Sequence, residues 1–231
     1  MTRSALIVAH GQPSAPEPPE AEMAVIARQV AAHLPGWSVS SATLAAPNAL
    51  RNALQDTAEP IVFPFFMADG WFIRTALPRR LAEAGAPAAR VLTPFGLLPE
   101  TALLAANVLQ DALTVRNWRA DETALILAAH GSGRSPYPAD AARALQSAIA
   151  THLRFAESRL GFIEEAPELV EVAEDAGTPA LCLPLFVARW GHVEDDIPAA
   201  LRAAGFRGAT LPPLGTDARV PALIARAIAA A

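Results

Sequence analysis

The chain has 231 residues, 52% of them hydrophobic, and a formal net charge of −5. That length suits one large domain or two of ordinary size, with apolar content enough for a core in each. The acidic balance speaks against a nucleic-acid partner, which favours a basic surface, and no segment offers the roughly 20 continuous apolar residues of a membrane span.

Met1-Thr2-Arg3-Ser4 leads directly into an apolar run, unlike a signal peptide, so a cytoplasmic protein is expected. Ala5–Ala9 reads as a short buried strand ended by His10-Gly11, and a Pro-rich loop spans Gln12–Pro19. A helix is expected over Glu20–His33, a strand over Trp37–Leu44, a short helix over Ala49–Asp56 and a third strand over Ile61–Phe66. After the loop through Asp69-Gly70-Trp71, Pro78 suits the first turn of a helix that ends near Gly85. A strand at Arg90–Leu92 and a helix over Glu100–Leu113 follow, and the polar stretch Arg116–Glu122 reads as a link.

The same order then repeats: strand Ala124–Ala129, helix Ala139–His152, strand Arg159–Ile163, helix Pro167–Ala176, strand Ala180–Phe186, helix Ile197–Ala204, strand Ala209–Leu211 and helix Val220–Ala230. The repeat is visible residue by residue. His10, Pro47, Pro64, Phe66, Pro78, Leu81 and Gly85 return as His130, Pro167, Pro184, Phe186, Pro198, Leu201 and Gly205. Apolar strands alternating with helices imply parallel α/β sheets. Two tandem similar α/β domains are therefore expected, 1–117 and 118–231, each a small parallel sheet flanked by helices.

Ligands of open parallel sheets gather outside the carboxyl ends of the strands. In the second half the polar residues there are His130, Glu164 with Glu165, and His192. Two imidazoles and a carboxylate on one edge suit a divalent transition metal, without naming it. Each has a plainer reading: a loop hydrogen bond for a histidine, a solvated strand end for the glutamates. Asp195 and Asp196, just before Ile197-Pro198, look like caps of the following helix. His33 and His152 fall late in helices, where an imidazolium complements the dipole. Cys182 stands alone in an apolar run, so no intramolecular disulfide is possible and a core role is expected.

Ala129-His130-Gly131-Ser132 after a strand, Phe162-Ile163-Glu164 with Pro167 downstream, and Gly191-His192-x-x-x-Asp196-Ile197-Pro198 together resemble the class II tetrapyrrole chelatases. The nearest group is the sirohydrochlorin cobaltochelatases and ferrochelatases, of the CbiX type in its long two-repeat form, and the resemblance spans the whole chain. It implies a chelatase-like fold with the site in a cleft between the domains. It also implies insertion of Co2+ or Fe2+ into sirohydrochlorin in cobalamin or sirohaem biosynthesis, with the cobaltochelatase favoured. His130, His192 and Glu164 would be metal-binding and catalytic. The metal would be a substrate, with no permanently bound cofactor. The other expected partner is sirohydrochlorin or a related tetrapyrrole, with no nucleic acid and no membrane, and the oligomeric state is left open.

A flat polyanionic ring would suit Trp71, Phe72 and Trp190 as flanking aromatics, for which core packing is the equal alternative. Arg134 and Arg189, with Arg74, lie in the same loops and are weaker candidates for its carboxylates, although all 18 basic residues being arginine reads first as compositional bias. The first half keeps His10 but reads Gln12-Pro13 where the second reads Ser132-Gly133, with Leu44 and Phe72 at the offset positions of Glu164 and His192. His10 is then a cleft-facing substrate contact or an inherited remnant. A non-catalytic tetrapyrrole or metal carrier is the alternative function. A hydrolase is disfavoured because no Gly-x-Ser-x-Gly elbow is present.

Overall fold

The computed structural model describes residues 3–55, 57 and 59–231. Met1, Thr2 and Asp56, the expected end of the second helix, lie outside the described residues. Eight strands and eight α-helices alternate among those described: β1 (Arg3–Ala9), α1 (Glu17–Ala32), β2 (Trp37–Thr43), α2 (Ala49–Ala53), β3 (Ile61–Pro64), α3 (Leu77–Glu83), β4 (Arg90–Val91) and α4 (Pro99–Arg116) in the first repeat. The second contains β5 (Ala124–Ala129), α5 (Tyr137–His152), β6 (Glu157–Phe162), α6 (Leu169–Ala173), β7 (Ala180–Pro184), α7 (Asp196–Ala203), β8 (Ala209–Thr210) and α8 (Val220–Ala229).

The strands form two four-stranded parallel sheets, ordered β2-β1-β3-β4 and β6-β5-β7-β8. Both are α/β, as expected. In each, the chain reverses direction across the sheet beside its first strand, and the carboxyl end of that strand carries a histidine. Leu6, Val8, Val62, Leu77 and Leu81 form a core on one face of the first sheet, and Ile126, Ala128, Cys182, Ile197 and Leu201 the corresponding core of the second. Cys182 is buried as expected, and desolvation pushes its thiol pKa up to about 12, so it packs as an apolar group.

The expected elements shift at their ends for local reasons. α1 begins at Glu17, three residues early, because Pro18 and Pro19 fall in its first turn, where a missing N–H costs nothing. α6 is shorter than Pro167–Ala176. Its start is fixed at Glu168 by a capping box, in which Glu168 and Glu171 each satisfy the other's orphan backbone N–H. The helix leading into α3 opens with a π-helical turn over Phe72–Ala76, ahead of Pro78. No described helix is long and apolar enough to cross a membrane.

The compact units do not follow the repeat boundary. One comprises Met1–Phe95 with Ala218–Ala231, and the other Gly96–Asp217. α4, the last helix of the first repeat, packs on α5, while α8 packs on α1 and β3. The Arg90 guanidinium also donates to the Ala231 carbonyl. The division at 117 follows the sequence repeat, and the division into compact units follows packing; they are different partitions of the chain.

Candidate metal centre

His130 follows the last residue of β5. Its Nδ1 lies 2.9 Å from the Gly131 carbonyl oxygen, which only accepts, so Nδ1 carries the hydrogen and Nε2 presents a lone pair. Gly131 permits this turn. Its φ is +73°, and a Cβ there would lie 2.9 Å from Phe162 Cβ and 2.8 Å from Glu165 Cγ. Gly131→Ala should therefore destabilise the fold by about 2–4 kcal/mol, combining left-handed strain with overpacking. A urea-denaturation midpoint equal to that of the native chain would contradict this.

His192 sits on a 3-10 turn, Gly191–Val193, between β7 and α7. Its Nδ1 lies 2.6 Å from Asp196 Oδ2, which only accepts, so this ring too carries a hydrogen on Nδ1 and, when neutral, directs a lone pair from Nε2. The two Nε2 atoms are 3.1 Å apart, and Glu164 Oε1 is 3.7 Å from His130 Nε2. Two lone pairs facing each other across that gap repel unless a cation lies between them. Imidazole–metal bonds of about 2.1 Å put neighbouring ligand nitrogens roughly 3.0–3.4 Å apart, which the observed spacing fits. One ligand atom from each of His130, Glu164 and His192 lies within 4.8 Å of the others. The three side chains are 43%, 50% and 39% exposed, so the cluster is open to solvent. Beneath it Phe186 lies 6.4 Å from the His130 ring and 6.5 Å from the His192 ring, and packs against the core.

The two glutamates divide their roles. Glu164 reaches the histidines, whereas Glu165 Oε1 accepts from the Ser132 backbone N–H at 2.8 Å. Ser132 Oγ in turn accepts from the Arg134 N–H at 3.2 Å, tying down the loop after His130. The Arg134 and Arg189 side chains are exposed and make no ion pair among the described residues, and Trp190 is half-buried just before His192. Arg74 is committed to Asp69, 3.0 Å away.

In the other unit His10 repeats the His130 geometry, with Nδ1 2.8 Å from the Gly11 carbonyl. Phe72 takes the place of His192. Its ring lies 4.2 Å from that of His10 at 72°, against 4.5 Å and 86° for the two histidines. Trp71 and Phe72 are both exposed, with rings 5.2 Å apart.

Two expectations need correction. Leu44 is not the counterpart of Glu164. Glu164 N–H donates to the His130 carbonyl at 2.9 Å, and in the first unit the residue that makes this bond to His10 is Ala45, also at 2.9 Å. Ala9 pairs with Thr43 but Ala129 with Phe162, so β6 is displaced by one residue relative to the repeat offset. Leu44 corresponds to Ile163 and lies in the core at 4% exposure. The aspartates are the second correction. Asp195 occupies the N-cap of α7 without a side-chain cap hydrogen bond, and Asp196 is bonded to His192 instead. The four-residue spacing from His192 to Asp196 was the signal in the sequence.

A model of the CbiX family matches residues 124–231. Among solved structures, the chain is similar to CbiX described as the terminal enzyme for biosynthesis of siroheme in denitrifying bacteria, at 47% identity and a TM-score of 0.92, covering 99% of both chains. It shares its fold with SirB from Bacillus subtilis with Fe3+, at 14% identity and a TM-score of 0.79, covering 99% of this chain and 95% of that one. It likewise shares its fold with a sirohydrochlorin chelatase SirB from Bacillus subtilis subspecies spizizenii in complex with cobalt, at 14% identity and a TM-score of 0.71, covering 99% and 94%. No curated protein sequence matches the chain.

Proposed function

The chain belongs to the CbiX family, and we propose on that footing that it is a chelatase that inserts a divalent metal into sirohydrochlorin. The observation that carries this reading is the approach of the His130 and His192 Nε2 atoms to 3.1 Å beside the Glu164 carboxylate. Sirohydrochlorin must lose two pyrrolic protons as it gains the metal. His130 and His192 hold the ion through Nε2, and each lone pair released as the ion moves to the ring nitrogens can take a proton. Glu164, half exposed, would accept protons and pass them to water. Three protein ligands leave coordination positions open for the incoming ring nitrogens.

The ligand set accommodates Fe2+ and Co2+ alike. Likeness at 47% identity to an enzyme of siroheme biosynthesis supports Fe2+ as the working metal, in place of the Co2+ favoured with the family resemblance. The test is insertion into sirohydrochlorin under anaerobic conditions with Fe2+, Co2+ and Ni2+ in parallel, followed by absorbance. We expect insertion above the uncatalysed background with Fe2+ and Co2+. Tetrapyrrole or metal binding with no insertion by any of the three metals would replace the chelatase by a carrier.

A further inference from the structure

Asp196 is the first residue of α7, and its carboxylate oxygen Oδ2 lies 2.6 Å from His192 Nδ1. The repeat supplies an internal control. Where His192 is replaced by Phe72, Asp196 is replaced by Ala76, and α3 still forms directly after it. Ala76 lies inside a helix already begun at Phe72, whereas Asp196 opens α7, and of the two halves only the one that has the imidazole has the acid.

The histidines are also held differently. His130 and His10 each keep Nδ1 against the carbonyl of the following glycine, a contact built into the turn at the end of β5 and β1. His192 stands on a short turn, and its Nδ1 partner is a side chain four residues ahead. We propose that Asp196 is a positioning residue for metal capture. It holds the His192 ring in the Nδ1–H tautomer with Nε2 aimed at His130, so that two lone pairs meet on one ion. This rests on reading His192 as a metal ligand. Without the carboxylate, the ring is free to turn or to exchange tautomers, and either change removes a ligand from the cluster.

Asp196→Ala and Asp196→Asn can be compared with Asp195→Ala, the adjacent residue, by Co2+ titration in the visible spectrum. Steady-state insertion kinetics, with metal and tetrapyrrole varied separately, complete the comparison. Loss of such a partner typically weakens metal binding by about 10–100-fold. Asp196→Ala should show that loss and a raised KM for metal with the KM for tetrapyrrole unchanged. Asp196→Asn, whose amide oxygen still accepts from Nδ1, should recover part of it, and Asp195→Ala should match the native chain. Native Co2+ affinity in Asp196→Ala overturns the proposal. Equal weakening by Asp195→Ala also overturns it, because the effect would then belong to the helix start. A native chain that binds Co2+ but inserts no metal sinks the chelatase reading, and the titration alone then decides the role of Asp196. A native chain that takes up no Co2+ overturns both.

Discussion

His192→Ala should lower the rate of metal insertion by about three orders of magnitude, to near the uncatalysed background. Losing an outer partner of a metal ligand already costs about 10–100-fold, and losing a ligand itself costs more. The cluster has three ligand atoms within 4.8 Å, so removal of His192 leaves His130 and Glu164, separated by 3.7 Å, to hold the ion. His192 is 39% exposed and its turn is closed by backbone hydrogen bonds, so the variant should melt close to the native temperature. A rate within tenfold of native in a folded His192→Ala chain would remove this residue from the reaction.

Leu44→Glu should destabilise the fold by about 3–5 kcal/mol, whereas Ala45→Glu should change stability by no more than about 1 kcal/mol. The difference follows from a one-residue register. Leu44 is 4% exposed and shares a core with Val8, Leu50 and Ile73, so a carboxylate there would lose its hydration without a buried partner. Ala45 makes the backbone bond to His10 that Glu164 makes to His130, and it is only half-buried. Denaturant unfolding of the two variants gives the comparison directly. Equal loss in both, or a larger loss in Ala45→Glu, would reject the register.

The same register explains what the sequence made legible and what it did not. The strands were readable because Leu6–Ala9, Ala124–Ala129 and Ala180–Pro184 are apolar without alternation, as buried parallel strands are. His130, Glu164 and His192 were readable because each follows a strand of one sheet, and the carboxyl ends of parallel strands point the same way. Counting along the repeat failed at Leu44 because β6 is shifted by one residue, and only the hydrogen-bonded pairing of strands reveals such a shift. Asp196 was misread because an acid at a helix start satisfies the rules for a cap whether or not it caps. The assignment of α4 and α8 to compact units was beyond reach, since an apolar helix face signals burial without naming the surface that buries it.

The account rests on an asymmetry: of two similar halves, only the second brings two histidines and a glutamate together among the described residues. Equilibrium titration with Co2+ of the native chain, of His10→Ala and of the double variant His130→Ala/His192→Ala tests it most directly. One ion should bind per chain, with unchanged affinity in His10→Ala and no binding in the double variant. Two ions per native chain, or an ion retained by the double variant and lost in His10→Ala, would contradict it.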